Sequence, residues 1–510
     1  MHPTTTVRFA PSPTGALHIG GIRTLLYNYL FAKKKGGTFL LRMEDTDQKR
    51  LIPSSEAYIT ESLHWLGIVP DAGPLQGGKY GPYRQSERTA LYQHYLQPLL
   101  AGGYAYYAFD TAEELEALRE RMQAAKATAA SYNAVSRGVM KNSFTLPASI
   151  VTEWIASGKP YVIRLKMPHK ETIRFYDLLR GWVKVETATL DDKVLLKADG
   201  LPTYHFANVI DDYLMQVTHV IRGEEWLPST PLHVLLYRYL GWETAIPQFV
   251  HLPLLLSPDG KGKLSKRKAD QYGFPVFPIA WQSEDLTVKE GFREKGYLPE
   301  AIWNFLALLG WNPGNSQEVF TKEALIEAFS LERLGKSSVQ FDITKANWFN
   351  RQHIQKQPAV QWVGYFQTAA AKEHIYPSET AAIAICTVVQ ERVTFPEDFW
   401  KEGSYFLLEP LTYDANLLQQ KWNKQTEALL LCFMQALVLL TKWEDRTLKQ
   451  TLQSVIQGEP LAAFLPILRM ALTGRKTGPD LIAIMRCMGK ENTYKRIHSF
   501  LAQTSNQTAR

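Results

Sequence analysis

Hydrophobic and polar positions near the amino terminus follow first the period of a strand and then that of a helix. Residues 4–10 are rich in threonine, valine and phenylalanine, which predicts a short buried strand. The two prolines and the glycine of residues 11–15 cannot continue a ladder and predict a turn. From about Gly20, apolar residues at positions 22, 25, 26, 29 and 30 form one helical face. The chain therefore opens with a strand, a turn and a helix.

The same alternation returns later in the chain. Residues 38–43 predict a second strand, followed by a helix with Ser54 or Ser55 as its cap. Residues 217–222 and 232–240 predict another strand and another helix. Strands that alternate with helices in this way form a parallel sheet. Residues 108–187, which mix helical and strand patterns, are predicted to interrupt the sheet as an insert, whereas helical patterns dominate beyond Tyr297.

Composition and charge narrow the class of protein. At 510 residues the chain exceeds the size of a single core, so we expect several units. It has no run of eighteen apolar residues and no signal-peptide pattern, so we expect a cytoplasmic protein. The net charge of +7 is compatible with a polyanionic partner but does not by itself indicate one. The three cysteines are far apart and predict neither disulfides nor a zinc knuckle.

Two short motifs carry candidate chemistry. Residues 16–21, Ala-Leu-His-Ile-Gly-Gly, lie between a strand and a helix, where glycines admit a bulky ligand and the helix amino terminus favours phosphate. Residues 263–267, Lys-Leu-Ser-Lys-Arg, place three cations where they can clamp a charged phosphate chain. Taken singly, each motif is better explained without a ligand, the first as a strand-to-helix turn and the second as a solvated loop.

Together, in this order and on these elements, the two motifs resemble the HIGH and KMSKS signatures of class I aminoacyl-tRNA synthetases. Further segments resemble the bacterial-type glutamyl-tRNA synthetase family within that class: residues 8–15, 42–47, 81–88, 199–208 and 220–226. The resemblance is strong over residues 4–270. It is weaker towards the carboxy terminus, although the helical character continues.

The resemblance implies an architecture and a reaction. The fold would be an α/β, class I Rossmann-like parallel-sheet catalytic domain with an α+β insert, followed by all-helical stem-contact and anticodon-binding domains. The implied boundaries are 1–107 with 188–262 for the catalytic domain, 108–187 for the acceptor-binding insert, 263–345 for the KMSKS-like loop and stem-contact domain, and 346–510 for the anticodon-binding region. The reaction would be that of a glutamate–tRNA ligase, which activates L-glutamate with ATP to glutamyl-adenylate. The glutamyl group would then pass to the 3′-terminal adenosine of tRNA(Glu), and AMP and diphosphate would be released.

Carried over motif by motif, the resemblance also implies site residues. The glutamate-binding set would be Arg8, Ala10, Ser12, Glu44, Tyr204, Asn208 and Arg222. The set that binds ATP with its Mg²⁺ would be His18, Gly20, Glu225, Leu256, Lys263, Ser265, Lys266 and Arg267, with His18, Lys263 and Lys266 acting in catalysis. Two arginines can take the two carboxylates of glutamate bidentately, and Glu44 can take its ammonium group. Arg392 would lie near the anticodon.

Two departures from the family pattern bear on these expectations. Some bacterial relatives carry a zinc site in the insert, with cysteines near the positions of Tyr107 and Phe109. This chain has no cysteine there, so we expect no structural zinc. Residues 274–290 form a longer connection than the family's usual one, and the resemblance supplies no role for it. We expect a monomer whose partners are tRNA(Glu), L-glutamate and ATP, with no membrane partner.

Three alternative interpretations make different predictions. A glutaminyl enzyme would resemble a fold with β-barrels behind the catalytic half, against the helical pattern past residue 300. A truncated relative that glutamylates a modified tRNA base would end near residue 300. An RNA-binding scaffold derived from an inactive synthetase would have lost active-site residues, but His18, Arg8, Arg222, Glu44 and both signature lysines are present. The sequence leaves open whether tRNA(Gln) is charged as well.

Overall fold

The computed structural model describes the backbone of residues 4–126, 131–283, 285–456 and 461–508, and the side chains of these residues except 266, 461–462 and 505–508. Its strands are β1 Thr6–Phe9, β2 Thr38–Leu41, β3 Ala105–Ala108, β4 Val162–Leu165, β5 Thr172–Asp177, β6 Gly181–Glu186, β7 Val194–Leu196, β8 His219–Gly223, β9 Gln248–Leu252, β10 Leu255–Leu256, β11 Trp281–Gln282, β12 Val288–Lys289 and β13 Val339–Gln340. Its helices are α1 Ile19–Lys34, α2 Pro53–Trp65, α3 Thr89–Ala101, α4 Ala112–Ala124, α5 Ala148–Ala156, α6 Tyr204–Leu214, α7 Thr230–Tyr239, α8 Lys266–Tyr272, α9 Pro299–Ala307, α10 Lys322–Ala328, α11 Ile343–Lys356, α12 Val363–Lys372, α13 Glu379–Val389, α14 Asp398–Gly403, α15 Ala415–Lys421, α16 Lys424–Leu439, α17 Asp445–Ile456, α18 Leu461–Thr473, α19 Leu481–Met488 and α20 Lys490–Thr508.

The first of two compact units comprises the described residues of Met1–Glu294 and Ile302–Ile343 and contains the sheets. One sheet has the order β6-β5-β9-β8, with β8 and β5 both parallel to β9. β1 and β2 form a parallel pair, and Thr6 and Thr218 join β1 to the start of β8 by mutual hydrogen bonds. The α/β prediction is confirmed. The larger sheet is mixed because β6 turns back antiparallel to β5.

Helix α1 buries the stripe that the sequence predicts, including Ile22, Leu25 and Leu26. It begins one residue before Gly20, and the His18 side chain caps it by accepting a hydrogen bond from the Gly20 N–H. The predicted cap of α2 is wrong, because α2 begins at Pro53 without a side-chain cap. Ser55 instead donates its hydroxyl proton to the Gly15 carbonyl at 2.7 Å, and so fixes the turn that precedes α1.

The connection formed by the described residues of 274–290 packs on α1 and α2. The Ile19 N–H at the start of α1 donates to the Val276 carbonyl at 2.9 Å. The hydroxyl of Tyr58 on α2 donates to the Ile279 carbonyl at 2.8 Å, and the Trp281 ring lies edge-on to Tyr58. This connection therefore supports the start of α1 from the side.

The second unit comprises Lys295–Ala301 and the described residues of Thr344–Arg510. In its described part no strand is found, as the helical pattern predicts. Its core is built from apolar faces of successive helices, with Phe366, Phe399, Phe433 and Phe464 fully buried. Across the described residues of both units, no helix is long and apolar enough to span a membrane.

Candidate active site

A cavity of about 520 Å³ opens in the first unit where β1 and β8 end and α1 begins. Ligands of open α/β sheets bind at the carboxyl ends of such parallel strands. The predicted residues that line this cavity are Arg8, Ala10, Ser12, His18, Gly20, Glu44, Tyr204, Asn208, Arg222, Glu225, Lys263 and Ser265. Residues from six separate segments thus meet at one place.

Four other predicted residues are not among the described residues that line the cavity. Among the described residues, Leu256 and Arg267 are not part of the cavity lining, and Leu255 contributes in place of Leu256. The backbone of Lys266 begins α8, but its side chain lies outside the described part of the structure. Arg392 belongs to the second unit, where its guanidinium contacts Glu402 and Thr477.

Arg8 presents the end of its guanidinium to the cavity. Its Nε donates to Asp212 Oδ1 at 3.0 Å, and the residue is 4% exposed. Within the described residues, its two terminal nitrogens donate no hydrogen bond to the protein. Because a guanidinium offers parallel N–H groups along one edge, Arg8 can take a carboxylate bidentately.

Arg222 is held by more partners than Arg8. Nε donates to His251 Nε2 at 3.0 Å, and the two terminal nitrogens contact the hydroxyls of Tyr204 at 3.0 Å and Thr230 at 2.9 Å. The two remaining contacts are long, 3.5 Å to His233 Nδ1 and 3.4 Å to the Trp226 carbonyl. These two N–H groups are the ones that a ligand can redirect at the least cost.

Glu44 offers one carboxylate oxygen to the cavity. Its Oε1 accepts from Arg42 at 3.0 Å and from Asn208 at 3.1 Å, whereas Oε2 accepts no hydrogen bond from a described residue. Burial raises the pKa of Glu44, and the charges of Arg42 and Arg8 oppose that rise. A ligand ammonium group beside Oε2 would satisfy the carboxylate.

Asp212 and Arg42, which are in neither predicted set of site residues, pair with the charged groups behind the cavity. Asp212 Oδ1 accepts from Arg8 and, at 2.7 Å, from the fully buried Arg42. Of the charged groups that line this end of the cavity, Arg8 and Arg222 are cations and Glu44 is an anion. A ligand with two anionic groups and one cationic group would complement them.

The other end of the cavity lies at the amino terminus of α1. Because His18 Nδ1 accepts from the Gly20 N–H at 3.1 Å, the proton of the neutral ring is on Nε2, which makes that nitrogen a donor. A Cβ on Gly20 would meet only His18 Nδ1, at an ordinary 3.5 Å. Packing therefore does not require glycine at this position. Because Gly20 lines the cavity and has no side chain, the space beside it is open to a ligand.

Lys263 and Glu225 form the rim of the cavity. Lys263 Nζ lies 3.0 Å from Glu225 Oε1, and both side chains are about half exposed, at 57% and 44%. An exposed ion pair of this kind contributes about 0 to 1 kcal/mol, so Lys263 can leave Glu225 for a phosphate at little cost. Ser265 caps α8 by accepting from the Lys268 N–H at 3.3 Å.

Four histidines of this unit are held neutral, which makes stability depend on pH. Burial lowers the pKa of His205 to about 4 and lowers the pKa values of His219, His233 and His251. Because the folded pKa lies below the unfolded one, the unfolded chain binds protons first as the pH falls below about 6.5. Each such histidine then lowers the free energy of unfolding by about 1.4 kcal/mol per pH unit until the pH reaches the folded pKa of that histidine.

We therefore expect the thermal midpoint to be constant above about pH 7 and to fall between about pH 6.5 and pH 4. Differential scanning calorimetry across this range checks the expectation. His205→Gln should flatten the dependence, and a wild-type midpoint that is unchanged from pH 7 to pH 5 would contradict it.

No group of three or more histidine, cysteine, aspartate or glutamate side chains in the described residues is arranged to hold a metal ion. The family resemblance implies that Mg²⁺ binds together with the ATP phosphates, so the ion would arrive with the substrate.

Comparison with known proteins agrees with this geometry. Residues 4–348 match the family model for the catalytic domain of class I tRNA synthetases (E and Q), and residues 360–501 match an anticodon-binding domain. The chain is therefore a class I aminoacyl-tRNA synthetase. It is 56% identical to the glutamate–tRNA ligase of Amoebophilus asiaticus, with 97% of each chain covered, and 52% identical to that of Cytophaga hutchinsonii, with 98% covered.

A crystal structure of a glutamate tRNA ligase from Elizabethkingia meningosepticum, in complex with its amino acid, is similar to this chain with a TM-score of 0.90. The two are 43% identical, and the match covers 98% of this chain and 99% of that one. The chain belongs to the glutamate–tRNA ligase family, which confirms the family that the sequence motifs indicate.

Proposed function

We propose that this chain activates L-glutamate with ATP and transfers the glutamyl group to the 3′-terminal adenosine of tRNA(Glu), with the cavity residues in the roles that the motifs imply. The observation that carries the proposal is the charge arrangement at the cavity. Two guanidiniums and one carboxylate line this end of the cavity, which complements the two carboxylates and one ammonium group of glutamate, whereas glutamine has only one carboxylate.

In this proposal Arg8 and Arg222 bind the two carboxylates of glutamate, and Glu44 Oε2 accepts from its ammonium group. Support comes from the two terminal nitrogens of Arg8 and from the two long contacts of Arg222. Tyr204 and Asn208 lie one turn apart on α6 and hold Arg222 and Glu44 respectively. Ala10 and Ser12 also line the cavity.

ATP occupies the other end, with His18 Nε2 donating to a phosphate oxygen and Gly20 leaving room for the nucleoside. The glutamate carboxylate attacks the α-phosphorus in line, and diphosphate leaves towards Lys263 and Lys266. No side chain acts as a covalent nucleophile, so the rate comes from alignment and from stabilisation of the charge that develops on the phosphates. Magnesium bound to the phosphates shares that charge.

The tRNA would lie along both units: residues 108–187 would bind the acceptor end, residues 263–345 the stem, and residues 346–510 the anticodon, near Arg392. Basic side chains near the carboxy terminus support this placement, because Lys476, between α18 and α19, and Lys495, on α20, are held by exposed ion pairs with Asp414 and Glu409. Pairs of this kind exchange readily for phosphates. We propose that the enzyme acts as a monomer in the cytoplasm.

If phosphates replace these pairs, tRNA binding should depend strongly on salt. Affinity for tRNA(Glu) is expected to fall about tenfold or more between about 50 and 200 mM salt, because each phosphate contact releases counterions. Filter binding or fluorescence anisotropy at several salt concentrations measures this. Glutamate affinity, measured without tRNA, provides the control, since its buried ion pairs are much less screened. Salt-insensitive tRNA binding would contradict the proposal.

The direct test of the activity is charging of purified tRNA(Glu) and tRNA(Gln) with labelled glutamate and, separately, labelled glutamine. We expect ATP-dependent attachment of glutamate to tRNA(Glu), with AMP and diphosphate as products. The tRNA(Gln) arm shows whether the enzyme also mischarges that tRNA. Absence of glutamyl-tRNA(Glu), or attachment of glutamine instead, would refute the proposal.

A further inference from the structure

A chain of buried polar contacts runs across the sheet from β5 through β9 to Arg222 of β8 at the cavity. Asp177, the last residue of β5, places Oδ2 at 2.7 Å from His251 Nδ1 on β9. His251 Nε2 in turn accepts from Arg222 Nε on β8 at 3.0 Å. Asp177 and His251 are fully buried and Arg222 is 5% exposed. Three adjacent strands therefore each contribute one member of this Asp177–His251–Arg222 chain.

The partners fix the tautomer of His251. A guanidinium nitrogen can only donate, so His251 Nε2 must be the unprotonated nitrogen. The ring proton is then on Nδ1 and is donated to the Asp177 carboxylate. Protonation of Nε2 would turn two donors towards each other and push Arg222 away. The arrangement requires a neutral imidazole whose lone pair points at Arg222.

Asp177 is itself fixed from several directions. Its Oδ1 accepts from the backbone N–H groups of Leu179 at 2.9 Å and Arg180 at 2.8 Å. Its Oδ2 accepts from the backbone N–H of His251 at 3.1 Å, in addition to the ring Nδ1 of the same residue. With four donors on two oxygens, the carboxylate has one stable orientation. The fixed carboxylate therefore also fixes the orientation of the His251 ring that donates to it.

The charged groups around His251 favour the same neutral form. Burial lowers the pKa of His251, the hydrogen bond to Asp177 opposes that change, and Arg222 and Arg180 lower the pKa further. Arg180 is paired with Glu224, and His233 on α7 is buried beside Arg222. Burial alone would raise the pKa of Asp177, but the hydrogen bond from His251 and those from the backbone N–H groups hold it below its usual value.

We infer that Asp177 and His251 are positioning residues for amino-acid selection, which act by holding the guanidinium of Arg222 in one orientation at the cavity. This inference rests on the proposed role of Arg222 as a glutamate anchor. Neither residue lines the cavity among the described residues, so neither touches the substrate. Their effect is on the free energy of glutamate binding and not on the phosphoryl chemistry.

Two substitutions of His251 separate positioning from packing. Glutamine can place an amide oxygen where Nε2 lies and so keep an acceptor for Arg222. Asparagine reaches only as far as Nδ1, so it keeps the donor to Asp177 but loses that acceptor. We expect His251→Asn to raise the glutamate KM in tRNA charging by roughly tenfold to a hundredfold, and His251→Gln to raise it by about threefold or less. The KM for ATP and the thermal midpoint should differ little between the two variants.

A double-mutant cycle then tests Asp177. Asp177→Asn is expected to raise the glutamate KM by roughly tenfold in the wild-type background and to have little effect beside His251→Gln, where no tautomer has to be set. Equal effects in both backgrounds, or none in either, would overturn the inference, as would equal losses in His251→Asn and His251→Gln. If Arg222→Gln leaves glutamate affinity unchanged, the proposed anchor itself fails. If Arg222→Gln raises the glutamate KM but the His251 and Asp177 variants do not, Arg222 keeps its proposed role and the positioning role of Asp177 and His251 is refuted.

Discussion

Charging with glutamate is expected to fall by roughly thirty- to several thousandfold when Arg222 is replaced by glutamine. Arg222 is almost fully buried and is one of the two guanidiniums that line the amino-acid end of the cavity. Without it, one glutamate carboxylate enters a desolvated place without its counter-charge. Such a loss typically amounts to about 2 to 5 kcal/mol.

The variant should also narrow the gap between glutamate and glutamine, because charge is what separates two amino acids of nearly the same shape. Arg222→Lys should be only partly tolerated, since a point charge cannot reproduce the planar fork that contacts Tyr204, Thr230 and His251. Arg238→Gln is the matched control, because it removes an arginine of the same unit that pairs with Glu171 away from the cavity. Kinetics of tRNA charging with each amino acid measure the effect, and full discrimination by Arg222→Gln would contradict this role.

Lys266→Ala is expected to slow glutamyl-adenylate formation by roughly a hundredfold or more while changing tRNA affinity little. The lysine follows Ser265 at the start of α8, beside the rim where Lys263 pairs with Glu225. In the proposed reaction, a cation at this position would stabilise the charge that develops on the leaving diphosphate.

Single-turnover charging with saturating tRNA measures the chemical step for Lys266→Ala. Lys261→Ala is the matched control, since it removes an exposed lysine from the same loop and keeps the backbone carbonyl that accepts from Lys268. An unchanged single-turnover rate for Lys266→Ala would rule out the proposed role, and a loss as large in Lys261→Ala would indicate a general effect of loop charge.

The parts of the fold and site that could be predicted from sequence are those with a local pattern. The apolar stripe of α1 identifies that helix, and the four-residue spacing of Tyr204 and Asn208 places them on one face of α6. Arg8 and Glu44 stand in or just after two neighbouring strands, so their meeting follows from the parallel pairing of β1 and β2. The site residues themselves are implied by the resemblance to the family, motif by motif, and twelve of them line the cavity.

The parts that could not be predicted depend on contacts between distant segments. Asp212 meets Arg8 across 204 positions of sequence, and Asp177 meets His251 across 74. Nothing local distinguishes these aspartates from the other acidic residues of the chain. The Ser55 prediction was wrong for the same reason, because its hydroxyl bonds Gly15, forty positions away, and not the backbone of its own helix. At Leu255 and Leu256, sequence alone did not determine which of the two neighbouring leucines lines the cavity.

Selection of glutamate by the charges of this cavity is tested most directly by competition between the two amino acids. The wild-type protein is given glutamate and glutamine together, with ATP and tRNA(Glu), and the ratio of kcat/KM for the two is measured. We expect glutamate to be preferred by roughly thirtyfold or more, the scale set by one desolvated charge pair. A ratio near one, or a preference for glutamine, would contradict the account.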